Sequence, residues 1–400
     1  MLLLYSCLPP ISWLLGGGEE NRTINSRLGI GVLLDEQIYL VAMTCVFAIS
    51  VAFGASIVRK KLRKNGKLVP VVPGNVLLVC IGIVLLDTIL LRGLVLTGFV
   101  PQAESYLESY RITQQLPLPL RIVLKLTGGF GFFAKATILV WLFQNWRTHR
   151  YWVFAIGIIT LISFNPEAGR SSTFLFFYVC LILWNRFISR ISLMQLSLCG
   201  VLMIAAFSAA GTYRGLNKNV DFDLERFDLN LGEFDAIWTN AIVLLREKRL
   251  ERLVLPAQIH FSELYGPIPE ILLPFEKWNY SGWFLNTYYR HYGRSGGGLM
   301  FGVTAQLVIG FGWAEVIIRG VLLGWFLERL TLYFRNGSLW WHYPSLVYCS
   351  AWTFYTVRDS SFSLITNLFQ VLALGVLTIE FLGKFIRIVP KEKVAAELPP

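Results

Sequence analysis

The chain has 400 residues, 55% hydrophobic and only 15% charged, with a mean hydropathy of +0.56 and a formal net charge of +11. A soluble domain carries about a quarter charged residues, so this composition excludes an ordinary soluble protein and predicts a chain dissolved mainly in lipid. The positive charge needs no nucleic acid to explain it, because it sits in short turns between apolar runs and serves orientation and contact with anionic headgroups.

In chain order, Met1–Leu15 is apolar but short, contains Pro9-Pro10 and lacks a basic leader. It reads as a weak first span or an interfacial segment rather than a cleavable signal peptide. Runs suited to crossing a bilayer, at roughly 20 residues each, follow at Glu36–Val58, Gly74–Gly98, Leu118–Leu142, Tyr151–Phe164, Thr173–Trp184, Leu193–Gly211, Phe301–Phe334, Trp341–Val357 and Phe362–Ile388. Tyr151–Phe164 and Thr173–Trp184 are short and are expected to include flanking residues. The basic turns Arg59–Lys64, Arg147 with Arg150, Arg186 with Arg190, Arg329 with Arg335, and Lys384 with Arg387, Lys391 and Lys393 all fall on one side of this count. That side is cytoplasmic by the positive-inside rule. The expected fold is therefore all-α: a polytopic integral membrane protein of nine or ten transmembrane helices, with N-terminal helices over 1–211, one large extracytoplasmic loop over 212–298, and C-terminal helices with a cytoplasmic tail over 299–400. The six cysteines lie in apolar runs without CxxC or His-rich spacing, which predicts small buried side chains and neither disulfides nor metal ligands.

Four segments then face outward: Pro101–Leu116, the turn Asn165–Ser172, the insert Thr212–Gly298, and the turn Arg358–Ser361. Their arginines, Arg111 in the first and Arg170, Arg214, Arg290, Arg294 and Arg358 in the others, run against the usual charge bias and are expected to converge on one cavity. A guanidinium fork matches paired phosphate oxygens and stays charged at working pH, so an anion with phosphate geometry is the expected ligand. Lys125, about two turns in from the outer end of its span, is a further phosphate contact. Tyr213, Tyr265, Trp283, Tyr289 and Tyr292 offer faces for sugar stacking, or alternatively form an interfacial belt.

Within the insert, Leu231–Arg252 carries apolar residues at helical spacing, and its run Arg246–Arg252 reads as a solvated face of mixed sign. Asp221, Asp223, Glu225 and Asp228 lack the spacing of a calcium loop. Gly266-Pro267-Ile268-Pro269 and Pro274 predict an extended surface segment. Phe301–Phe334 is too long for one span and predicts a re-entrant piece, a break at Gly310-Phe311-Gly312 and then a helix, with the irregular backbone lining a cavity. Asp87, Lys125, Lys135, Glu315 and Arg319 are ionisable residues inside apolar runs, where such groups are functional or paired. Glu315 and Arg319, four apart, read as a structural ion pair.

In this order the motifs resemble a known family. They are Gly169-Arg170-Ser171-Ser172, Tyr213-Arg214-Gly215, Tyr265-Gly266-Pro267-Ile268-Pro269 with Pro274 and Lys277, Gly302-Val303-Thr304, Gly310-Phe311-Gly312-Trp313 with Gly324, and Arg358-Asp359. With about ten spans and one dominant outward loop, the chain resembles bacterial oligosaccharide repeat-unit polymerases of the Wzy type, which act in O-antigen, capsule and exopolysaccharide assembly. It departs from them at Gln306, where similar proteins often carry Glu, and at Gly310 and Glu315. The resemblance implies a GT-C-like fold in the bacterial inner membrane with a periplasmic site. It also implies inverting glycosyl transfer without metal or other cofactor, from glycan on undecaprenyl pyrophosphate to the non-reducing sugar of a lipid-linked repeat unit. A chain-length regulator and a flippase of the same pathway are the implied partners. Arginines would stabilise the departing pyrophosphate, with Arg170, Arg214 and Arg290 foremost, and Glu263, His260 or His291 would take the hydroxyl proton. The alternatives are a ligase-like transferase with the same donor, and a lipid-linked oligosaccharide carrier. The chain has no internal repeat, which favours an enzyme over a carrier.

Overall fold

A computed structural model of the chain describes residues 9–11, 33–59, 70–97, 115–162, 170–192, 194–195, 197–200, 233–268, 272–290 and 301–386. All regular structure among them is helical, with no strand. The helices are α1 (Leu34–Arg59), α2 (Gly74–Leu96), α3 (Leu118–Gln144), α4 (Trp146–Ile162), α5 (Arg170–Phe187), α6 (Glu233–Arg249), a 3-10 turn (Ala257–Phe261) running into α7 (Ser262–Tyr265), α8 (Tyr280–Tyr288), α9 (Val303–Ile309), α10 (Trp313–Asn336), α11 (His342–Arg358), and α12 (Ser361–Asn367). A π-helical stretch (Leu368–Ala373) then leads into α13 (Leu374–Phe385). Leu34–Arg59 and the continuous run Ser363–Phe385 are each long and apolar enough to cross a membrane. The two short apolar runs do extend into their flanks, as α4 and α5, and Phe301–Phe334 divides into α9, a break and α10. Glycine is required at both starts: Gly302 (φ +91°) precedes α9 and Gly312 (φ +97°) precedes α10, in a backbone region that L side chains rarely adopt.

The helices align so that their basic ends gather. α1 and α10 run parallel, from the Tyr39–Trp313 ring contact (5.5 Å) to the Arg59–Glu328 ion pair (3.0 Å). They approach closely because Gly54, Gly320 and Gly324 lie in the seam; a Cβ at Gly54 or Gly324 would run into the carbonyl of Val321 or Val51. At the Arg59 end, Gln144 donates to the carbonyl of Pro70 (2.8 Å), Trp146 meets Trp184, Phe187 meets Tyr343, and Asn75 donates to the carbonyl of Gly383 (2.7 Å). The ends of α1, α3, α5, α10 and α13 therefore share one side of the bundle, and Arg59, Arg147, Arg186, Arg335 and Lys384 with them. Between α2 and α3, with the Lys135 side chain exposed on the outside of the bundle, Asp87 and Lys135 form an ion pair (3.6 Å), the paired outcome for those two residues.

The insert docks at the opposite end. α6 buries Ile237, Trp238, Ala241, Ile242, Leu244 and Leu245, and the Trp238 indole donates to Gln37 (2.6 Å) at the start of α1. The mixed-charge face expected over Arg246–Arg252 is exposed over its second half, but its cations Arg246, Lys248 and Arg249 are paired rather than free in solvent. Arg246 grips the buried Glu36 carboxylate through two nitrogens at 2.6 Å each, Arg249 pairs with Asp35 (2.8 Å), and Lys248 turns inward. Arg246 and Glu247 are half-buried, while Lys248 through Arg252 keep exposed surface. Helical spacing alone does not reveal these partners, because they lie about 200 residues earlier in the chain.

Candidate functional site

Where the insert meets the helix break, polar groups concentrate around Arg319. Its guanidinium reaches Glu315, one turn earlier on α10 (Nη2 to Oε1, 2.8 Å), and Glu263 on α7. The Glu315–Arg319 pair is thus present, but it belongs to a larger network. Glu263 Oε1 also accepts from Gln306 Nε2 on α9 (2.7 Å) and from the Ser361 hydroxyl at the start of α12 (2.6 Å). Ser361 N–H in turn donates to Gln306 Oε1 (3.2 Å). Among the described residues Glu263 Oε2 meets only the Ser262 hydroxyl, at 3.4 Å, so one carboxylate oxygen is saturated and the other holds a single long contact. The carboxylate beside Gln306 comes from the insert, as Glu263.

The break itself is pinned from two sides. Glu315 Oε2 accepts from Phe311 N–H (2.5 Å), and a Cβ at Gly310 would strike the same carboxylate. Lys248 Nζ donates to the carbonyls of Val308 (2.8 Å) and Gly310, capping the last turn of α9, a favourable place for a cation. Burial lowers the Lys248 ammonium pKa, against the pull of Glu315. His260 stacks on Phe311 (centroids 4.5 Å apart), and burial holds its imidazole below the usual histidine value, opposed by Glu315 and reinforced by Arg319 and Lys248. Burial, with the Glu263 charge, pushes the Tyr280 phenol up, so that it remains protonated beside the cluster.

A third carboxylate lies next to this group. Asp359 accepts from the hydroxyls of Ser281 on α8 and Ser363 on α12. Burial raises its pKa, opposed by those two hydroxyls and by Arg358. The insert and the Arg358–Ser361 turn, two of the four segments expected to converge, thus meet through Ser281–Asp359 and Glu263–Ser361.

The expected site residues fare differently. Glu263 stands at the centre of the network, and Arg358 is buried at the end of α11, next to Asp359. Arg290 is exposed just beyond α8, about 14 Å along the helix axis from Ser281. The aromatic platforms require correction. Trp283 is 3% exposed and packs on Phe284, Tyr288 and Phe301, while the Tyr265 phenol donates to the carbonyl of Trp278 (2.8 Å) with its ring against Phe275. Tyr289 is half-buried against Phe284. Trp283 and Tyr265 build the insert's core and offer no open face to a sugar, whereas Tyr289 keeps part of its surface exposed. The extended reading of Gly266–Ile268 also gives way to a turn, whose carbonyls accept from Lys277 and Gln370. Arg170 opens α5 and Lys125 lies within α3, but their side chains are outside the described set. Arg111, Tyr213, Arg214, His291, Tyr292, Arg294 and the acidic patch Asp221–Asp228 lie outside the described residues, and so does most of the turn Asn165–Ser172. Among the described residues no His, Cys, Asp or Glu triad is spaced to hold a metal ion.

Sequence reasoning missed Arg319, Gln306, Ser361, Ser281, Asp359 and Lys248 as members of one site. The available signal was an ionisable pair just after a glycine break inside an apolar run, where such groups are costly and need a reason. No family model, curated protein or solved structure matches the chain.

Proposed function

We propose that the chain is a polytopic membrane glycosyltransferase that polymerises lipid-linked oligosaccharide repeat units on the extracytoplasmic face of the bacterial inner membrane. The observation that carries this reading is Glu263: a carboxylate delivered by the outward insert, with one oxygen fixed by Arg319, Gln306 and Ser361 and the other left with one long contact. That arrangement suits a general base, which must be held rigidly and must still have an oxygen to receive a proton. The gathering of basic helix ends opposite the insert supports the orientation.

In the reaction, the acceptor sugar's hydroxyl gives its proton to Glu263 Oε2 as its oxygen bonds the donor's anomeric carbon from the face opposite the leaving group. The bond to the pyrophosphate breaks, and its electron pair departs with undecaprenyl pyrophosphate. Arg358, with Arg170, Arg214, Arg290 and Arg294, supplies positive charge for that leaving group, which needs no protonation. Holding two lipid-anchored substrates in line contributes much of the remaining acceleration. Deleting the gene and resolving surface glycan on a gel tests the proposal: a polymerase defect leaves one repeat unit attached, a ligase defect leaves none, and a carrier defect traps units inside. A normal ladder of chain lengths refutes the polymerase reading. Glu263→Gln, at unchanged protein abundance, is expected to give the single-unit pattern as well, and full-length chains from that variant would remove Glu263 as the base.

A further inference from the structure

The segment from Leu253 to Phe275 has 23 residues, two acids and no lysine or arginine. One acid, Glu263, is turned inward onto Arg319. Its neighbours on either side point the other way: Phe261 is 59% exposed and Leu264 77%, while Ile259, Ser262 and Tyr265 are buried. Leu272 (70%) continues the exposed set, and Phe311 (78%), reached through the His260 stack, joins it from the helix break. Water-facing loops do not collect large apolar groups in this way, and such a patch marks an interaction surface. The patch is continuous with the exposed apolar flanks of the helices beneath it. Phe311 leads to Ile317 and Ile318 on α10, and the Gln370 bonds to Gly266 and Pro267 bring Phe369 of the Ser363–Phe385 run alongside. A continuous apolar surface that descends onto candidate spans is completed by the same solvent as those spans.

We infer that the 3-10 turn and α7 of the insert, with Phe311, dip into the hydrocarbon of the adjacent leaflet as an interfacial anchor. Its occupant is lipid acyl chain rather than a protein. The inference rests on the membrane reading proposed above and adds to it. The anchor seats Glu263 at headgroup depth, between two residues buried in lipid, where a pyrophosphate on a polyprenyl chain arrives laterally. The test is carbene footprinting of the full chain in phosphatidylethanolamine–phosphatidylglycerol vesicles, with a diazirine dissolved in the lipid phase and a water-soluble one in parallel, read by peptide mass spectrometry. Peptides over 257–268 are expected to take the lipid-phase label, as Leu34–Arg59 and Ser363–Phe385 do, and Phe261→Asp with Leu264→Asp should lower their lipid-phase labelling severalfold. Label on the two spans but only the water-soluble label on 257–268 overturns the anchor alone. No lipid-phase label on any of the three overturns the membrane reading with it. Protection of 257–268 from both probes points to a second copy or another protein on this face, and also overturns the inference.

Discussion

Arg319 holds two carboxylates that would otherwise repel each other in a poorly hydrated space. Side-chain exposures of 18% for Arg319, 14% for Glu263 and 19% for Glu315 leave water little part in screening them. Removing one partner of such a group strands the others, at a cost of about 3–5 kcal/mol. Arg319→Ala is therefore expected to lower thermal stability in detergent by about that amount, and adding Glu263→Gln and Glu315→Gln should recover much of it. A triple variant no more stable than the single one would show that the charges are not what Arg319 serves. His260 gives a pH signature. Its folded pKa lies below the ordinary value of about 6.5, so the stability it contributes is complete above that pH and is lost as pH falls through the folded value. His260→Gln is expected to flatten the decline in melting temperature below about pH 6.5, and an unchanged acid limb would contradict this. The pair Glu315–Arg319 was legible in the sequence because local spacing carries it. Glu263, 56 residues before Arg319, was legible as a carboxylate but not as its partner, since nothing local encodes that distance.

At the scale of elements, the α1–α10 seam and the α9 break position the site. The seam depends on three positions without side chains, and overpacking a tight core costs about 1–3 kcal/mol even where side chains can adjust. At Gly324 the obstacle is the Val51 carbonyl, which has little room to move. Gly324→Val is expected to destabilise by at least ~2 kcal/mol and to reduce the yield of folded protein, while Gly82→Ala, on open space in α2, should be neutral or slightly stabilising. Equal melting temperatures for the two variants would count against the seam. The Gly310–Gly312 break was readable from sequence because a 34-residue apolar run exceeds one crossing. The seam was not, because its partners are separated by most of the chain and glycines in apolar helices are common.

At the scale of the molecule, composition and charge placement predicted the long helices among the described residues, because hydrophobic length and basic turns are local properties, but not the short helices α7 and α8 of the insert. The fate of the insert's charges and aromatics was hidden, because it depends on which surfaces the fold presents to them. Lys248, Arg246 and Trp238 are consumed in docking α6 onto α9 and α1. Sidedness is directly measurable. In cells with a permeabilised outer membrane, a cysteine at Asn286 should react with a membrane-impermeant maleimide, and cysteines at Arg150 and Ser338 only after lysis. Equal labelling of all three would overturn the orientation.

The parallel pair α1 and α10 is separated by about 250 residues of chain. At synthesis rates of about 5–20 residues per second, α1 leaves the ribosome roughly 10–50 s before α10 exists. For most of that interval Glu36 has no Arg246, and throughout it the Gly54 groove has no partner backbone. In the membrane reading proposed above, a helix that waits so long with a carboxylate and a bare groove open to the bilayer is a natural substrate for insertion chaperones and membrane proteases. Expression of the chain should accordingly be limited by survival of this early intermediate, and slowing translation after Arg59 should lower the yield more than slowing it after Asn336.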